Sequence, residues 1–312
     1  MARYIIKRLL LIIPILIGVI FLVYFIMEFT PGDPAIRKLG VEASQEALDQ
    51  WRHQMGLDKG FLERFVTYVF NVFTKFDFGV SWRTGNPVFQ DVLPRVPVTI
   101  KLASISILFA AIFGIVGGVF SAVKQYTAAD DILRVLSTVL VAMPSFWFAM
   151  LLILLFALYL GWLPPSGMET WRHMILPVIV IAGPQGCRIL RLTRSTMLES
   201  IREDYIRTAR AKGVPERAVT YQHALRNAML PVITTIGSAF ATCLGGSVLT
   251  ENVFAIPGMG SLVVLSIRTV DIPTVLACVI ITATFFSLVM LLVDIMYAFI
   301  DPRIRAKYAR KK

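Results

Sequence analysis

Long uncharged runs alternate along this chain with short charged ones, and the apolar runs outlast any strand. Leu9–Met27, Leu102–Val123, Val135–Leu160, Asn227–Thr250 and Ile272–Val293 each supply roughly the 20 apolar residues that a membrane-spanning helix requires. Met174–Cys187 is apolar but shorter, and Arg188, Arg191 and Arg194 follow it at steps of three. It is read as the fourth of six helices, with an inner end that projects into water. The pattern predicts an all-α polytopic membrane protein with six transmembrane helices. The first run follows a basic start, Arg3, Lys7 and Arg8, as a signal peptide would. Its core is too long for one, however, and its exit, "MEFTPGDPA", lacks an A-x-A cleavage site, so a retained span is expected.

Charge sets the sidedness. The stretch Arg188–Arg226 carries nine Lys/Arg against Glu199, Glu203, Asp204 and Glu216, and the tail after Asp301 adds Arg303, Arg305, Lys307, Arg310, Lys311 and Lys312. Segment 30–96 balances eight basic with eight acidic residues, and the loops near 161–173 and 251–271 hold almost no Lys or Arg. With six spans, every basic-rich stretch falls on one side, which places both termini and the 188–226 loop in the cytoplasm. Segment 30–96 is then outside. Within it Phe61, Phe65, Tyr68 and Val69 recur near helical spacing, so one amphipathic helix is expected to pack against the spans.

Composition agrees and removes other classes. The chain of 312 residues is 56% hydrophobic and only 16% charged, with a mean hydropathy of +0.71; soluble domains hold about 45–50% apolar residues. The net charge of +11 is the expected signature of basic membrane loops rather than of nucleic-acid binding. Cys187, Cys243 and Cys278 sit in apolar settings without a CxxC pair, and His53, His173 and His223 form no HExxH motif, so no metal site is expected. Glu28, Lys101 and Asp294 fall near span edges and read as interface residues.

One charged stretch, "EDYIRTARAKGVPERAVTYQHALRNAMLP" from Glu203 to Pro231, needs its own account. Glu203–Lys212 has helix-forming composition, Gly213 suits a left-handed stop, and Pro215 can begin another helix. In that second helix Ala218, Tyr221, Gln222 and Leu225 would share a face. Small Ala209 and Ala211 permit close approach by another surface. By physics alone the segment is equally a docking element and a solvated loop that anchors topology.

The stretch resembles the EAA loop of transmembrane subunits in ATP-binding-cassette importers, in its dipeptide/oligopeptide/nickel branch. Arg207, Thr208 and Ala209 occupy the E-A-A places and Gly213 the glycine. His223, Ala224, Leu225 and Arg226 fall on I-x-L-P, so the first Glu and the last Pro are absent, departures usual for that branch. "PGDPA" at 31–35, "GLD" at 56–58, "DFGVS" at 77–81, "RVPVT" at 95–99, "LTRSTM" at 192–197, "TENVFAIPGMG" at 250–260 and "VDIMYAFIDPRIR" at 293–305 extend the likeness over nearly the whole chain.

The resemblance implies an N-terminal span plus extracytoplasmic segment over 1–96 and a five-span permease domain over 97–312, with a coupling loop at about 198–228. It implies a bacterial inner-membrane permease subunit that forms half of a pathway for short peptides. Partners follow from it: a second permease chain, two ATPase subunits or domains carrying ATP and Mg, and an extracytoplasmic solute-binding protein. No cofactor is expected in this chain, which has no G-x-x-x-x-G-K-[ST] phosphate loop and no catalytic constellation. Arg207, Thr208, Ala209, Arg210, Gly213, Arg217 and His223 become candidates for ATPase coupling, with Arg207, Arg210 and Arg217 suited to interfacial ion pairs. Pro144, which interrupts the third span, and Phe146 are candidates for a pathway or gate, as are Pro257 and Gly258 in an outer turn. Pro177 and Pro184 interrupt the fourth span, and simple packing remains the plainer reading of all three span prolines. The likeness leaves glutathione and nickel chelates open as cargo. An ATP-independent transporter or channel, and a membrane enzyme, are the readings from other classes.

Overall fold

The computed structural model of the chain describes residues 2–29 and 32–300. Pro31 and the basic tail from Arg303 onward lie outside the described residues. The principal helices in chain order are α1 (Ala2–Glu28), α2 (Phe61–Lys75), α3 (Val96–Val123), α4 (Ala128–Ala142), α5 (Ser145–Leu152), α6 (Trp171–Ile201), α7 (Asp204–Ala211), α8 (Leu225–Gly246), α9 (Val248–Val253), α10 (Met259–Arg268) and α11 (Ile272–Ile300). Five stretches are long and apolar enough to cross a membrane, or six if the bent pair Ala128–Ala142 and Ser145–Tyr159 counts as one span. Among the described residues the only strand-like pairing is the isolated bridge Val80–Pro87.

Two compact units emerge, and they do not follow the chain order. One comprises 1–99 and 255–287, the other 100–254 and 288–312. In the first, the expected amphipathic helix forms as α2 and packs on α1. Phe65 and Tyr68 join Ile20, Val23, Tyr24 and Met27 in a core that also takes Val275 and Leu276 of α11. The rings meet edge to face, Phe21 with Phe65 at 5.4 Å and Tyr24 with Phe61 at 5.6 Å, an arrangement that aromatic quadrupoles favour.

Polar anchors hold the same unit together. Asp33 caps the short helix Pro34–Leu39 by accepting from Ala35 N at 2.8 Å. The Arg52 guanidinium beside Asp33 holds its carboxyl below the ordinary 3.8. Asp271, 1% exposed, accepts from Ser81 Oγ, Trp82 N and Thr274 Oγ1. Those bonds tie the "DFGVS" loop to the start of α11. A buried carboxylate is tolerated because its lone pairs are filled.

The second unit sharpens one detail of the sequence reading and corrects two. Val135–Leu160 is broken at Pro144, where the sequence predicts an interruption. The chain bends by 108° between Ala142 and Ser145, because Met143, which precedes a proline, is driven out of the helical region to ψ 131°. Pro177 and Pro184, by contrast, do not interrupt α6, which runs unbroken for 31 residues, about 46 Å. The short helix after Pro215 is no separate element either. Glu216–Ala218 passes through a π-helical segment, Val219–Ala224, directly into α8. The π segment changes the register: Val219 and Ala224 are buried, while Tyr221, expected on one face with Ala218, Gln222 and Leu225, is 54% exposed.

Glycines let α3 and α6 approach closely. A Cβ on Gly114 would lie 2.6 Å from Ile189 Cβ, and one on Gly118 would lie 2.5 Å from Thr193 Cβ and 2.8 Å from the Leu190 carbonyl. Within a membrane, where burial of apolar surface drives little, such small-residue contacts carry helix association.

Candidate functional site

The charged stretch forms a projecting element whose inner side is cemented to the second unit. Ile206 and Ala209 of α7 are buried with Val219, Ala224 and Ala228, against Val119 and Ala122 of α3 and Met197 of α6. Amphipathic spacing explains it, because positions three apart on α7 share one face. The small residue at 209 thus serves approach to the chain's own helices rather than to another surface.

The turn that closes α7 matches its sequence. Gly213 has φ +77°, its N–H donates to the Arg210 carbonyl at 2.9 Å, and Val214 N donates to the Ala209 carbonyl at 3.2 Å. A Cβ at Gly213 would meet nothing within 4 Å. The requirement for glycine is therefore conformational alone.

The outer side is charged and open. Arg207 is 76% exposed, with Asp204 at 3.6 Å as its ion-pair partner; so exposed a pair contributes about 0–1 kcal/mol. Arg210 donates from Nε to Glu216 Oε1 at 2.6 Å, bracing α7 against the next helical turn. Thr208 turns its hydroxyl back to the Asp204 carbonyl at 3.0 Å. Arg217 is exposed, while His223 is half-buried, with its carbonyl accepting from Asn227. The structure thus brings six of the seven coupling candidates onto one projecting element, Ala209 facing inward and Arg207, Arg210 and Arg217 outward, with His223 in the π-helical segment that follows.

A second feature escaped sequence reasoning. Asp130, fully buried, receives both Arg194 Nε and a terminal Arg194 nitrogen at 2.8 Å. Ser121 Oγ and Tyr126 N complete its shell. This bidentate pair fastens the α3–α4 turn to α6 three residues before Met197, which carries the projecting element. One of two adjacent acids, Asp130 and Asp131, at a span edge gives no local hint of a partner 64 positions away.

The pathway candidates divide between the units. Pro144 and Phe146 flank the 108° break, and the neighbouring Met143 and Ser145 line a cavity of about 260 Å³ shared with Gln185, Arg188, Ser247 and Thr250. Pro257 and Gly258 belong to the other unit, where Gly258 stands at the start of α10 and Met259 N donates to Thr99 Oγ1 at 2.9 Å. Among the described residues no group of three or more His, Cys, Asp or Glu could hold a metal.

Known proteins resemble the chain throughout. The family model for the binding-protein-dependent transport system inner membrane component matches residues 114–306, and the model for the N-terminal part of such membrane components matches 1–103. The glutathione transport system permease protein GsiC of Escherichia coli K12 is 39% identical over 307 residues, 98% of this chain and all of that protein. The dipeptide transport system permease protein DppB of Alkalihalophilus pseudofirmus is 36% identical over 333 aligned positions, 98% of this chain and all of that protein. Among solved structures, a chain of the MetNI methionine ABC transporter superposes with a TM-score of 0.56 at 15% identity, covering 69% of this chain and 98% of that one. At that identity the likeness concerns the fold.

Proposed function

The chain belongs to the family of binding-protein-dependent transport system inner membrane components, and we propose that it forms one of two permease halves of an ATP-driven importer of short peptides. Glutathione, itself a tripeptide, is the first alternative cargo, and relatives of both kinds support the pair. One observation carries the mechanism. The element Asp204–Arg217 is packed on the ends of α3 and α6 along its inner side and open along its charged outer side. A body so built passes on a push as a unit. Closure of an ATPase groove around it would shift α3 and α6 together, a rigid-body switch of the kind that drives alternating access. ATP and Mg act on two partner ATPase subunits or domains, a related permease supplies the other half of the pathway, and an extracytoplasmic binding protein delivers the cargo.

Affinity purification of a tagged chain is expected to retain an ATPase subunit, a second permease and a binding protein. The chain separated from them is expected to hydrolyse no ATP. Purification without an ATPase, or hydrolysis by the isolated chain, overturns the reading in favour of an ATP-independent transporter or an enzyme.

Sidedness is tested by labelling. With Cys187, Cys243 and Cys278 all buried, a membrane-impermeant thiol reagent on intact cells is expected to reach Asn86→Cys and not Arg217→Cys. Labelling of Arg217→Cys from outside would sink the arrangement with a cytoplasmic coupling element.

The turn gives a third test. Gly213→Val forces a β-branched residue to φ +77°, at a cost of about 1–2 kcal/mol or more. Transport and ATPase association are expected to fall at equal amounts of folded permease. Gly213→Asn, which tolerates the left-handed region, is expected to fall less.

A further inference from the structure

Arg188 lies farther along its span than its charge would suggest, with its side chain exposed on the second unit rather than packed within it. Ile189, the next residue, is level with Gly114 of α3, nine residues or about 14 Å before the end of that helix at Val123. Arg194, one step of six further on, is the residue level with Ser121 and paired with Asp130. Arg188 is thus about 9 Å farther in than the paired arginine. It lines the cavity of about 260 Å³ together with Ser145, Gln185, Thr242, Ser247 and Thr250, and no acidic side chain lines that cavity. The buried carboxylate of Glu251 nearby accepts from Ser247 Oγ at 2.9 Å.

An ionisable side chain within a span is costly and is retained where it faces a partner or a wet cavity. Here the residues that line the cavity offer hydroxyls and an amide but no carboxylate, Glu251 standing behind Ser247, so the guanidinium faces a space that favours a mobile anion. The place of that space beside the Pro144 break puts it in a segment already bent away from simple spanning.

We propose that Arg188 is a positioning residue of the translocation pathway, holding the carboxylate of the cargo by charge-assisted hydrogen bonds while the hydroxyls around it exchange with water. The proposal rests on the reading of the chain as a peptide importer permease. A guanidinium matches a carboxylate in a planar, two-pronged geometry. Transit requires that this hold be weak enough to release, which one arginine in a hydrated cavity provides.

The test uses the assembled importer in proteoliposomes. A cysteine is placed at Ser145, and its reaction rates with a negatively charged and a positively charged methanethiosulfonate are compared. Adding Arg188→Gln is expected to lower the ratio of anionic to cationic rates about tenfold, and Arg188→Lys is expected to restore most of it. In the same membranes, with Ser145 intact, Arg188→Gln is expected to cut trialanine uptake about tenfold, Arg188→Lys much less. ATP hydrolysis stimulated by the loaded binding protein persists in both, which separates positioning from folding or coupling. An unchanged rate ratio, or equal losses with Gln and Lys, overturns the proposal. If the wild-type importer takes up no trialanine, the peptide reading falls on that result, and the rate ratio still decides whether Arg188 selects anions.

Discussion

Asp130→Ala is expected to leave the permease folded only marginally, with a loss of roughly 3–5 kcal/mol, the range for breaking a buried ion pair from one side. The carboxylate is fully buried and bidentate to Arg194, whose side chain is 18% exposed. Truncation strands the guanidinium and also empties the acceptors used by Ser121 Oγ and Tyr126 N. The two-site variant Asp130→Leu with Arg194→Met removes both charges and is expected to recover much of that loss. Melting of the purified permease in detergent, followed by size-exclusion chromatography, measures it. A single variant as stable as wild type would show that the pair contributes little. A stable two-site variant with impaired transport would show that the pair serves the switch rather than the fold.

The next largest effect is expected at Gly118. Even Gly118→Ala places its new carbon 2.5 Å from the branched Cβ of Thr193 and 2.8 Å from a backbone carbonyl, neither of which is a flexible chain end. The helices must separate, and overpacking of this kind costs about 1–3 kcal/mol. Gly118→Leu is expected to exceed that and to abolish accumulation in the membrane. Gly18→Ala in α1 is the control, since its Cβ would meet nothing within 4 Å; there a small gain from helix propensity is expected. Equal yields of the Gly118 and Gly18 variants would refute close packing of α3 on α6.

These two sites mark where the sequence is silent. Spans, the amphipathic α2 and the stop at Gly213 were legible because each rests on local spacing: apolar length, helical period, or a glycine before Pro215. Asp130 and Asp271 were not, because their partners lie 64 and 190 positions away and nothing beside them signals burial. "FGIVGG" shows its small residues in the chain, but a close approach needs the facing helix to be known. Pro144 was legible as a disturbance and not as a 108° bend, since Pro177 and Pro184 have the same chemistry inside an intact helix. The coupling candidates were found in one stretch. That Ala209 faces inward was hidden because it depends on the packing of α7 against α3 and α6.

The π segment, Val219–Ala224, makes its junction with α8 tolerant of one particular change in length. A π turn takes in about one residue more than an α turn, whereas each residue of an ordinary helix turns the chain by about 100°. Loss of one residue between Val219 and Ala224 would let the segment relax to α-helix and leave Arg217 near its present azimuth about the axis of α8. The same loss within Leu225–Gly246, which holds no such surplus, would rotate everything before it by roughly 100°.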